Sequence, residues 1–147
     1  MFDPARLRHP TNVASYAYWD RLRGGRPMPA RADIDPMDIP KLLPSVLLYD
    51  VQAEPLDFRY RLIGTKIAGY LLADYTGKWM SELAHQRAPG RLWTAYTHVV
   101  THLEPITSDA PYVGKYADFK TVEDLIMPLS ADGETVNMLF VTVDFLT

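Results

Sequence analysis

The run Met138–Val143, MLFVTV, is apolar at both parities. A strand sends successive side chains to opposite faces, so such a run belongs in the middle of a sheet with both faces covered. Four further runs read as strands: SVLLYDVQ (45–52), DFRYRLIG (57–64), ITSDAPYVG (106–114) and KTVEDLIMPLS (120–130). AEPL and ADGE supply hairpin turns between the first two and the last two runs. In DFRYRLIG, Phe58, Tyr60 and Leu62 alternate with Arg59 and Arg61, which predicts one face in a core and one facing water or an acidic partner.

Between the strand groups lies helical sequence. Residues 65–83 read as short helices interrupted at Asp74 and Gly77. PGRLWTAYTHVVTHLE (89–104) is the strongest helix pattern, with Leu92, Trp93, Tyr96, Val99, Val100 and Leu103 on one broad face. Near the front, Asn12 or Ser15 is placed to cap a helix running to Gly24–Gly25, with Tyr16, Trp19, Leu22 and Val13 on its apolar side.

The stretch Leu22–Ser45 holds five of the twelve prolines, yet Met37, Ile39, Leu42 and Leu43 are poor residues for a solvated linker. Asp35-Pro36 reads as a cap followed by a first-turn proline. The expectation is an ordered arm. Residues 1–44 then form an N-terminal helix and proline-rich arm, and residues 45–147 the core, of one domain; 147 residues are about the size of one. Charge is uneven: the first 41 residues carry net +2 and the remainder −5.

That balance argues against nucleic acid as a partner. Zero cysteines exclude disulfides, thiolate metal sites and cysteinyl cofactor adducts, and fit a reducing compartment. No run has the length of a membrane span and the N-terminus lacks a signal-like apolar segment, so the expected location is the cytoplasm.

The order of two strands, helices and three strands, with YWDRLRGGRPMPARADIDPMDIPKLLPSVLLYDV, DFRYRLIGTKIAG, DYTGKW and PLSADG, resembles the single-domain bacterial PAS family, PAS_5, over about Tyr18 to Phe145. Leu72 and Ala73 stand where PAS chains often carry a glycine. The resemblance implies an α+β fold: a five-stranded antiparallel sheet, helices on one face and an N-terminal helical arm. It also implies a role in sensing, docking or dimerisation, and no chemical reaction.

The residues themselves offer several sites. His98 and His102 have the i, i+4 spacing of two metal ligands, but both lie off the apolar face and Glu104 is poorly placed to join them, so no metal or haem is expected. No serine sits in a nucleophile turn and no glycine-rich phosphate loop is present. One of Glu123 and Asp124 should face inward, as a hydrogen-bonded structural carboxylate or a general acid with a raised pKa. Tyr60, Trp79, Trp93, Tyr96, Tyr112 and Phe140 are the aromatic candidates to converge between sheet and helices, as a filled core or around a small apolar or amphipathic ligand.

The leading expectation is a PAS-like regulatory module in bacterial signalling, not an enzyme. It would act on an unknown signalling protein by contact and by small-molecule sensing. Tyr16, Trp19 and Leu22 are the candidate contact of a homodimer. Two alternatives stand beside it: a small α+β hydrolase or isomerase, with Glu123 and a tyrosine in a cone-shaped cavity, and a dimeric scaffold without a ligand.

Overall fold

The computed structural model describes residues 2–111, 113–114 and 121–146. Among them are β1 (Val46–Ala53), β2 (Leu56–Ile63), β3 (Thr121–Leu129) and β4 (Met138–Leu146), with α1 (Pro10–Arg23), α2 (Thr65–Ala68) and α3 (Arg91–His102). The fold is α+β, with one antiparallel sheet of strand order β2-β1-β4-β3. β4 lies inside it, and Leu139, Phe140, Val141 and Thr142 are all buried. Four strands are described where five are expected. Of the run 106–114, Ile106 makes an isolated bridge to Ile126, bonded in both directions at 3.0 and 2.9 Å, and Tyr112 lies outside the described residues.

Register assigns the two faces of the sheet. Glu123 pairs with Asp144, Leu125 with Thr142, Met127 with Phe140 and Leu48 with Phe140, so these side chains share a face. Tyr49 pairs with Leu139 and Tyr60, and Val51 with Phe58, on the other. α3 packs on the second face, where Tyr96 touches Tyr49 and Phe58. α1 covers the first face, where Asn12 and Thr11 bond Glu123, Thr142 and Asp144. Helices therefore lie on both faces, and the arm is the second layer that β4 requires.

β2 departs from simple alternation. Leu48 pairs with Leu62 but Tyr49 with Tyr60, leaving Arg61 as an extra, bulged residue. Tyr60 stays toward α3, while Leu62, opposite Leu48, passes to the arm face and is 43 % exposed. The hairpin between β1 and β2 has only Glu54 and Pro55 outside the strands.

α1 starts before the expected caps. His9 is the N-cap, its Nδ1 accepting the Thr11 amide at 3.1 Å, and Pro10 occupies the first turn, where its missing N–H costs nothing. Asn12 and Ser15 are interior helical residues and both are fully buried. Ser15 Oγ donates to the Thr11 carbonyl at 2.7 Å. The buried face is thus Asn12, Ser15, Tyr18 and Trp19, with Tyr16 and Leu22 half-buried and Val13 49 % exposed. Trp19 of the expected stripe is fully buried, and the rest of the buried face is shifted because polar residues occupy half of it.

The arm is ordered. Met28, Ile34 and Ile39 are buried, and Trp19 Nε1 donates to the Pro128 carbonyl at 2.9 Å. Asp35 caps the following turn through the Met37 amide at 3.0 Å, although Met37 itself is 84 % exposed. The arm ends against β2: a Cβ on Gly64 would lie 2.5 Å from the carbonyl oxygens of Leu43 and Pro44, so only glycine fits there.

Candidate functional site

Two places in the fold concentrate polar chemistry inside the chain. The first is an aromatic layer between α3 and the sheet. Alternation in β1 and β2 brings Tyr49, Phe58 and Tyr60 to one face, and the α3 periodicity brings Trp93 and Tyr96 down on them. Ring centroids are 4.6 Å apart for Tyr49 and Tyr60, 4.9 Å for Tyr49 and Tyr96, and 5.2 Å for Phe58 and Trp93. Most of these contacts are edge-on or tilted, the arrangements that ring quadrupoles favour.

Three phenols are buried in this layer. The Tyr49 ring packs against both Tyr60 and Tyr96, and Tyr60 Oη donates to Gln86 Oε1 at 2.6 Å. Burial pushes Tyr60 up to about 12 and holds Tyr49 and Tyr96 well above the usual phenol range, so all three stay protonated. Gln86 is also buried, and it belongs to the wall of a cleft of about 530 Å³ with His85, Arg91, Leu92 and Val113. Burial lowers the pKa of His85. The cleft therefore meets the aromatic layer at a hydrogen-bonding side chain.

Three of the six expected aromatics, Tyr60, Trp93 and Tyr96, meet in this layer. Phe140 does not: it pairs with Leu48 and Met127 on the arm face, one residue out of phase with Leu139. Trp79 lies beside the outer edge of β2, with the Arg59 guanidinium 5.4 Å over its ring. Tyr112 is outside the described residues. Tyr49, Phe58 and Gln86 were missed. Tyr49 and Phe58 carry the right parity in their strands, but only the β1–β2 register puts them beside Tyr60, and Gln86 carries no sequence signal.

The second place is the seam between the arm and the sheet. Glu123 accepts from the amides of Arg8 and His9 at 2.9 and 2.8 Å and from Asn12 Nδ2 at 3.0 Å, with Arg8 Nε at 3.3 Å. Burial alone would raise its pKa, but these donors outweigh it and hold the carboxyl below its usual value. Asp144 behaves alike: burial is outweighed by Lys66 Nζ, the Phe145 amide and Thr11 Oγ1. His9 Nε2 lies 3.5 Å from Asp144 as well. Glu123 is thus a structural carboxylate; its raised-pKa alternative is overturned by those donors.

Its neighbour Asp124 faces the opposite side. Burial raises its pKa, against hydrogen bonds from the amide and hydroxyl of Ser108. Tyr16, Trp19 and Leu22 pack within the chain, Tyr16 between Phe2 at 5.3 Å and Trp19 at 5.9 Å. His98 and His102 stack at 4.0 Å, and Glu104, contrary to expectation, reaches His98 Nε2 at 3.2 Å. Among the described residues no group of three or more His, Cys, Asp and Glu is arranged to hold a metal ion. No helix among them is long and apolar enough to cross a membrane.

No curated protein and no solved structure matches the chain. The model of one family, PAS_5, described as a PAS domain, matches residues 7–142, nearly the whole length and including α1 and the proline-rich arm. With its antiparallel sheet, its α3 layer and this match, the chain belongs to the PAS domain family.

Proposed function

We infer that this chain shares the sensory and regulatory class of PAS domains. We propose that it acts as a single-domain regulatory module that passes a signal to another signalling protein by direct contact, in the bacterial cytoplasm, and senses a small amphipathic molecule at the aromatic layer. One observation carries the ligand reading. The buried Tyr60 hydroxyl, in one layer with Tyr49 and Tyr96, leads through Gln86 into the wall of an adjoining cleft, so a ligand entering there meets an apolar bed with a polar handle. Chemistry is not part of the proposal. Glu123 is saturated with donors, and the phenols remain protonated.

Self-association belongs to the same proposal. Trp19 is fully buried in its own fold, so the contact is assigned to the outer surface of the first 44 residues, where Val13 and Met37 present apolar surface. Native mass spectrometry of the purified protein reads mass and bound molecules together. A dimer that Met37→Glu dissociates, and a small molecule that Tyr60→Phe loses, support the reading. A ligand-free monomer whose tryptophan fluorescence responds to no compound in a metabolite screen would sink it.

A further inference from the structure

A second cleft, of about 570 Å³, lies on the far side of β3 from the sheet centre, between the first turn of the arm and the segment Ile106–Asp109. Both walls are charged, the arm's by Asp3 as well as Arg6. The arm contributes Arg6, which makes no ion pair among the described residues; Arg8 is already engaged by Glu123. The core contributes Asp109 and Asp124. Among the described residues Asp109 has no cation partner, and the Asp124 carboxylate is met by the amide and hydroxyl of Ser108 alone. Both carboxylates belong to residues that line the same cleft, Asp109 directly after the Ser108 that bonds Asp124. Phe2, Leu7, Ile106 and Val122 complete the lining with apolar surface.

We propose that this cleft binds a free α-amino acid with an apolar side chain, its ammonium group toward Asp109 and Asp124 and its carboxylate toward Arg6. A guanidinium offers a carboxylate two parallel donors, which suits Arg6 to that end. An ammonium in the cleft meets two carboxylates that no cation among the described residues engages. The volume falls in the range of small-molecule sites. Because one wall is the arm and the other is the core, the bound molecule bridges them and holds the arm down. The proposal does not depend on the aromatic layer holding a ligand.

Calorimetric titration of the full chain with L-leucine and L-phenylalanine tests it, with L-leucinamide and 4-methylpentanoate as probes lacking one charge each. At least one amino acid should bind saturably, one per chain. Each single-charge probe should bind about tenfold or more weakly, as should either amino acid to Arg6→Gln or Asp109→Asn. Both variants change exposed side chains, and asparagine tolerates the left-handed φ of +55° at position 109. Hydrogen exchange at residues 5–12 should slow on binding, and Tyr60→Phe should bind normally. Failure of both amino acids to saturate at millimolar concentration overturns the proposal. So does binding that survives both variants, leaves exchange in the arm unchanged, or is lost in Tyr60→Phe.

Discussion

Glu123 and Asp144 stand directly opposite each other across β3 and β4, 5 % and 3 % exposed, and both are held ionised by donors that come largely from the arm and from Lys66. Two like charges at adjacent cross-strand positions repel unless each is separately neutralised. The arm supplies that neutralisation, so its docking and the ionisation of the pair are one equilibrium.

Both carboxyls have folded-state pKa values below the unfolded ones. Their contribution is therefore present above the unfolded values, roughly pH 4, and is lost as pH falls through the lower folded values. Asp124, with its raised value, works in the opposite sense: its ionisation costs stability as pH rises through the folded value. Urea midpoints should fall steeply below about pH 4. In Glu123→Gln the fall should be shallower and the midpoint at pH 7 lower. An acid limb unchanged in that variant would show that the pair does not tie the arm down.

Trp19 is fully buried, and its Nε1–H is bonded to the Pro128 carbonyl at 2.9 Å. Trp19→Ala should cost about 3–5 kcal/mol. Trp19→Phe should recover most of the packing but leave the Pro128 carbonyl without its donor, a cost nearer 1 kcal/mol beyond the lost volume. Chemical denaturation of both variants checks the order. Equal losses would mean that the ring volume is not what the site uses.

Gly64 is confined by backbone, since an added Cβ would meet two carbonyl oxygens at 2.5 Å. Gly64→Ala should destabilise by about 1–3 kcal/mol or more, because backbone cannot move aside as a side-chain tip can. Gly25→Ala is the control: the space around it is open, and the change should fall within about 0.5 kcal/mol. Thermal midpoints of the two variants should separate clearly.

Tyr60→Phe removes one hydroxyl and leaves the buried Gln86 Oε1 without its 2.6 Å donor. An unsatisfied buried acceptor costs about 1–3 kcal/mol. Tyr60→Phe with Gln86→Leu removes both partners and should regain part of that loss. A double-mutant cycle measures the coupling, and strict additivity would show that the two side chains do not interact.

The sequence by itself determined the order of the four described strands about α3, the packing of the arm and the central place of β4. These depend on local signals that act over a few residues: the two-parity apolar run of Met138–Val143, the α3 face from Leu92 to Leu103, the Asp35-Pro36 cap. On the α3 face Tyr96 and Val99 are buried and Leu92, Trp93, Val100 and Leu103 pack half-buried against the core, while Ala95 joins the buried set without belonging to the expected stripe.

Tertiary structure alone decided which side chains meet. The bulge at Arg61 reset the two-residue period, turning Leu62 to the arm face although it alternates with Tyr60 in the sequence. Phe140 and Leu139 are equally apolar neighbours, and only the register with β1 sends one under the arm and the other under α3. The buried stripe of α1 keeps Trp19 but otherwise departs from the apolar pattern, because it contains Asn12 and Ser15, whose burial is tolerable only when Glu123, Thr142 and the Thr11 carbonyl are present to bond them. A buried polar residue looks exposed in a sequence, because the partner that makes its burial possible lies more than a hundred residues away along the chain.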